Sequence, residues 1–113
     1  MLLFFKQAVP ATSSGNCAVA GYTSEETHVE PEGFAVRQFE AFITADVTAG
    51  TLVVTLYKNA VAVATAVLTL SDLVMRAAVQ LSGVGLAPGD RMTVGWVSAG
   101  LAPTTADLVA VVS

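Results

Sequence analysis

Thr51-Leu-Val-Val-Thr-Leu-Tyr-Lys-Asn-Ala-Val-Ala-Val-Ala-Thr-Ala-Val-Leu-Thr-Leu70 decides the fold. Its first arm, residues 51–57, is dense in β-branched side chains, which suit the pleated, half-buried surface of a strand. Lys58-Asn59-Ala60 follows, and Asn59 tolerates a left-handed turn conformation. Residues 51–57 and 61–70 therefore read as the two arms of a hairpin. The second arm is apolar on both sides, with Val61, Val63 and Val67 on one and Ala62, Ala64, Ala66 and Leu68 on the other. A sheet over a single core leaves one of these faces in need of cover, and small alanines there admit another surface at close range. Helix is the competing reading for residues 60–66 and 72–80, which are rich in good helix formers.

Outward from the hairpin, the same two-residue period recurs. In residues 35–45, Phe39, Ala41, Ile43 and Ala45 share one face, while Gln38, Glu40 and Thr44 share the other. Met75, Ala77, Val79 and Leu81 alternate with Val74, Arg76, Ala78 and Gln80, which favours strand over helix there. Leu86-Ala-Pro-Gly-Asp90 is a turn, because proline presets φ at one central position and glycine permits positive φ at the next. It reverses the chain into residues 91–98, where Met92, Val94 and Trp96 point one way and Arg91, Thr93, Gly95 and Val97 the other. Residues 99–103 end that strand, and residues 105–112 supply a last one. In the first third, residues 2–6 read as a strand, residues 10–16 as a loop of turn formers, and residues 17–29 as holding one strand. Eight short antiparallel strands in one domain, residues 1–113, is the number a two-sheet jelly roll uses. The expected fold class is all-β, a jelly-roll-like sandwich.

Charge bounds the function. Only 12% of residues are charged, against roughly a quarter in an average soluble domain. A chain of this length hides only about two-thirds of its unfolded surface, and this scarcity of ionic groups then implies faces covered by neighbours. The cations Lys6, Arg37, Lys58, Arg76 and Arg91 are scattered singly in a chain of net charge −4. That is a poor footprint for a phosphate backbone, and nucleic acid is not an expected partner. No uninterrupted run reaches the ~20 apolar residues of a spanning helix, and no membrane partner is expected. Leu2, Leu3, Phe4 and Phe5 stop short at Lys6 and read as a first strand instead of a secretory signal. Phe34, Phe39 and Phe42 join them as core or interface candidates. Among exposed residues, the loop 10–22 and the acidic stretch containing Glu25, Glu26, Glu30 and Glu32 are the candidates to touch a neighbour.

Two anchors, the Tyr57-Lys58-Asn59 turn and the Leu86-Ala-Pro-Gly-Asp90 turn with its continuation to Val94, carry a resemblance to small bacteriophage virion proteins. The stretch 41–112 also resembles the C-terminal heads of collagen-like spore and phage fibre proteins. The resemblance implies a tumour-necrosis-factor-like jelly roll that assembles as a homotrimer. The family pattern often has Asn-Gly where this chain has Asn59-Ala60, so a loop longer than two residues is expected here. No repetitive shaft or Gly-X-Y run precedes the domain, which favours a capsid decoration or cement protein over a fibre head. The implied partner is the phage major capsid protein, and the implied location is the outer capsid surface after synthesis in the host cytoplasm. A carbohydrate- or receptor-binding head domain of a tail or fibre protein is the alternative.

Chemistry is sparse. In a strand, Glu26, His28 and Glu30 share a face and form the one constellation with metal-ligand character. No second histidine exists to complete a jelly-roll metal site, and a solvated acidic edge explains the same residues. Cys17 and His28 lack a cation to make a thiolate, and Glu30 with Glu40 has no selecting feature as a glycosidase pair. Cys17 reads as a small buried hydrophobe. Tyr22, Tyr57 and Trp96 are the candidates for an aromatic sugar platform, although Trp96 alternates with core residues. The chain is expected to be no enzyme, to hold no cofactor and to take no small-molecule substrate.

Overall fold

A computed structural model describes residues 2–20, 25–44, 47–102 and 106–113. Among the described residues there are ten strands, most of them built on alternating apolar and polar side chains: β1 Leu3–Val9, β2 Ser13–Asn16, β3 Ala18–Val19, β4 His28–Val29, β5 Phe34–Ile43, β6 Ala49–Lys58, β7 Val61–Thr69, β8 Arg76–Leu86, β9 Arg91–Ala102 and β10 Ala106–Val112. One sheet runs β3-β1-β10-β5-β8. The other runs β2-β9-β6-β7, with β4 beside β9 on the edge that β2 also occupies. All pairings are antiparallel. Without the two-residue strands β3 and β4, eight strands divide between the sheets in the β1-β10-β5-β8 and β2-β9-β6-β7 orders, which is the jelly roll.

The core lies between the sheets. Leu3, Phe5, Val9, Phe39, Ala41, Leu108, Ala110 and Val112 project from the first sheet onto Leu52, Val54, Leu56, Ala64, Ala66, Leu68, Met92, Val94 and Trp96 of the second. Burial of that set is the dominant stabilising term, at about 25 cal/mol for each Å² of apolar surface removed from water.

Several boundaries differ from expectation, each for a local reason. Residues 13–16 are not loop: this polar, exposed segment pairs with Ser98–Gly95 and is fixed by the Ser98 hydroxyl, which accepts from Ser13 N and donates to Pro10 O at 2.7 Å. Among the described residues of the range 17–29 there are two short strands, Ala18–Val19 and His28–Val29, where one is expected. The strand expected over residues 74–81 is present and begins at Arg76, after a single 3-10 turn, Leu70–Asp72, that ends at Leu73 with φ 61°. Strand β9 runs through residues 99–102, because Gly100 at φ 64° lets the chain bulge and return Leu101 to the core. The β6–β7 hairpin uses a two-residue turn after all, with Asn59 at φ 50° and Ala60 at φ 66°. The missing glycine is compensated at Asn59, whose backbone N–H donates to Arg91 O and whose side chain bonds across to Asp90 and Arg91.

Within β7 the valine–alanine alternation holds only from Ala64 onward. Leu56 faces Ala64 and Tyr57 faces Ala62, so Val63 has no opposite residue and forms a bulge. Ala64, Ala66 and Leu68 point into the core, so the small alanines admit the opposing sheet, not an outside partner. Ala45 lies outside the described residues.

Candidate functional site

The outer face of the β2-β9-β6-β7 sheet holds a groove of about 300 Å³ lined by Ser14, Asn16, Val53, Thr55, Tyr57, Gly95 and Val97, among others. The register builds it directly. Asn16 faces Gly95, Gly95 faces Thr55, Val97 faces Val53, and Tyr57 faces Thr93. Gly95 matters because a Cβ there would stand 3.0 Å from Tyr57 Cε2 and 3.3 Å from Asn16 Oδ1. The phenol ring therefore lies against the bare backbone of the neighbouring strand, as aromatic rings do over cross-strand glycines. One ring packed in this way, with amide and hydroxyl groups beside it, can stack on an apolar face and offer hydrogen bonds at its rim.

Of the other platform candidates, Trp96 borders the groove without presenting its ring to it. Trp96 points inward and is 6% exposed, and its Nε1 has no hydrogen-bond partner among the described residues. Gly15 packs on it, since a Cβ there would meet Trp96 Cζ2 at 3.0 Å. Tyr22 lies outside the described residues.

The structure brings together two of the three metal-ligand candidates. His28 pairs with Met92 and Glu30 N donates to Asp90 O, so both side chains turn to the inner side of the sheet end. His28 Nε2 stands 3.8 Å from Glu30 Oε1. Glu30 is buried, and neither its carboxylate oxygens nor His28 Nε2 has a hydrogen-bond partner among the described residues. Glu26 turns away and accepts from Asn16 Nδ2 at 3.3 Å. No group of three or more His, Cys, Asp or Glu side chains gathers among the described residues.

Burial, with a smaller contribution from the Glu26 charge, pushes the Cys17 thiol up to about 12, so it is an inert core residue. Glu40 sits on the outer face of the first sheet, 3.5 Å from Arg76 Nε, while Glu30 is buried beside the second. The two are not a facing carboxylate pair. Of the interface candidates, Leu3, Phe5 and Glu30 are buried within the chain itself, whereas Leu2, Phe4, Glu25, Glu26 and Glu32 are exposed.

That exposure singles out the outer face of the first sheet. Phe4 faces Val111, which faces Glu40; Lys6 faces Val109, which faces Phe42. Leu2 at 61% and Phe4 at 42% exposure thus continue onto the half-buried Val111, Val109 and Phe42. Arg76 caps the strip, its guanidinium 4.6 Å above the Phe42 ring. Apolarity alone marks Phe42 as core or interface, but only the pairing of β1 with β10 and β10 with β5 assembles the strip from distant segments.

No protein-family model matches the chain, and no curated protein matches it. Among solved structures, a family 35 carbohydrate-binding module from Clostridium thermocellum is similar over 98% of this chain and 89% of its own, at 14% identity and TM-score 0.42. The CBM36-1 domain of a multidomain xylanase from the hindgut metagenome of Trinervitermes trinervoides is similar over 98% and 96%, at 9% identity and TM-score 0.38. An exo-β-1,3-galactanase from Phanerochaete chrysosporium is similar over all of this chain but 29% of its own, at 14% identity and TM-score 0.41. Likeness at these scores defines no family and no site for this chain.

Proposed function

We propose that this domain is a non-catalytic structural subunit of a phage capsid surface, a decoration protein that forms homotrimers and ties major capsid proteins together. The carrying observation is the Leu2–Phe4–Val111–Val109–Phe42 strip on an outer sheet face. Contiguous exposed apolar surface of this kind marks an interaction site, and trimer and capsid contacts both remove it from water. The virion assignment is supported by the resemblance of the two turn motifs.

Removing β1 as a whole would test folding, since Leu3 and Phe5 are core residues. Leu2→Asp with Phe4→Asp changes only the outward side chains. The double variant is expected to lower the mass of the purified assembly roughly threefold by light scattering, with an unchanged circular dichroism spectrum and lost binding to undecorated mature capsids. A wild-type protein that is monomeric and ignores capsids would overturn the proposal.

The Tyr57 groove favours a second reading, sugar binding by a virion head domain. Under it, Tyr57→Ala is expected to abolish glycan-array binding by the isolated domain. Under the decoration reading the wild-type array is blank from the start.

A further inference from the structure

We infer that β7 is a self-pairing edge, through which two copies of this chain join across a two-fold axis into one continuous sheet. β7 ends its sheet and pairs only with β6. Among the described residues, no backbone bond to the far side of residues 61–68 occurs. Such a row of free N–H and C=O groups is a template for another strand, and natural proteins guard it with lysine, proline, a covering loop or a bulge. Strand β7 contains no charge, no proline and no glycine. Its bulge at Val63 lies next to the turn and leaves residues 64–69 regular.

The other long edge is different. Strand β8 carries Arg76, and positive-φ Gly83 and the register shift between Val36 and Gln38 break its regularity. Exposed apolar groups collect instead at β7 and the turn that follows it: Val61, Val67, Leu73 and Val74.

The occupant is a second copy because the strand complements itself. An antiparallel partner centred on Ala66 places Thr65 of one copy opposite Val67 of the other on the outer face, a β-branched pair of the kind that stabilises sheets. On the inner face it places Ala64 opposite Leu68, small against large, and Ala66 opposite its own copy. With no charge in the strand, nothing repels across the axis. The row Ser14–Val97–Val53–Val67 would then continue from one copy into the next. This contact stands on the backbone of β7 and is independent of the virion reading and of the Leu2–Phe4 strip.

Both Thr65 and Val67 are exposed, so charged residues there leave the fold intact. Analytical ultracentrifugation of the wild type, of Thr65→Lys with Val67→Lys, and of Thr65→Glu with Val67→Glu tests it. Each double variant is expected to show about half the wild-type assembly mass, and an equimolar mixture of the two is expected to regain it. Unchanged mass in the variants, or a mixture that stays at half mass, would overturn the inference. Loss of capsid binding with the two-fold contact preserved would sink only the proposed function.

Discussion

Gly50→Ala is expected to destabilise the domain by about 3–5 kcal/mol. Gly50 sits at φ 93°, where an L side chain is strained. A Cβ there would lie 2.5 Å from Ala99 O and 2.6 Å from the carbonyl carbon and oxygen of Gly100, all backbone atoms. These atoms belong to the β9 bulge, where the pairing of β6 with β9 shifts between Ala49–Ala102 and Thr51–Ala99. They cannot rotate aside as a side chain would. Gly83 provides the control: it has φ 72°, but a Cβ there would meet no atom within 4 Å. Gly83→Ala therefore reports backbone strain alone, about 1–2 kcal/mol. Thermal unfolding of the two variants separates strain from collision, with Gly50→Ala lowering Tm by roughly 10–20 °C. Equal effects would mean that the bulge yields.

Gly50 also shows where the sequence stops being legible. Period-2 patterns in residues 39–43, 74–81 and 91–97 identify strands and their inward faces, because one covered face forces alternation. They identify the all-β class for the same reason, but not the membership of the eight: the expected set holds a strand in residues 17–29 and leaves out β2. Ser13-Ser-Gly-Asn16 offers no such pattern, since an edge strand exposed along its length needs no apolar face. Its pairing comes from Ser98, far away in sequence. Bulges are equally hidden: Val63 and Gly100 break the ladder without breaking the composition.

The candidate surfaces are legible only as residue types. That Leu2–Phe5 and Phe42 belong to core or interface follows from apolarity, but which of them faces out depends on register. One residue of slip would exchange Phe4 with Phe5. Tyr57 and Trp96 are equally aromatic in sequence, yet β6 turns one outward over Gly95 while β9 turns the other into the core. Glu30 reads in sequence as a solvated acid in an acidic run. Its backbone bonds to Asp90 and Gly89 draw it under the sheet end, a long-range effect that no local spacing announces.

Asn59→Ala is the second substitution with a large expected effect, because Asn59 bolts the two turns together. Its Nδ2 donates to Asp90 Oδ1 at 3.1 Å, its Oδ1 accepts from Arg91 N at 2.9 Å, and its backbone N–H donates to Arg91 O at 2.8 Å. Asn tolerates φ 50° better than alanine does. Losing that tolerance together with the bond from Arg91 N costs about 2 kcal/mol. Asp90 responds to the same junction. The Ala87 backbone N–H, then the Asn59 amide, hold its carboxyl below the usual carboxylate range against slight desolvation, with Lys58 3.8 Å away adding its charge. Lowered in the folded state, this group contributes stability that is fully present above the unfolded value of about 4. That contribution disappears as pH falls through the lower folded value. Urea unfolding of wild type and Asp90→Asn is therefore expected to show a constant gap above about pH 5 that closes in acid. Asn59→Ala is expected to raise the pH at which it closes, because the folded carboxyl then moves back toward its ordinary value. A gap that persists unchanged into acid would mean that Asp90 acts through its shape and not its charge.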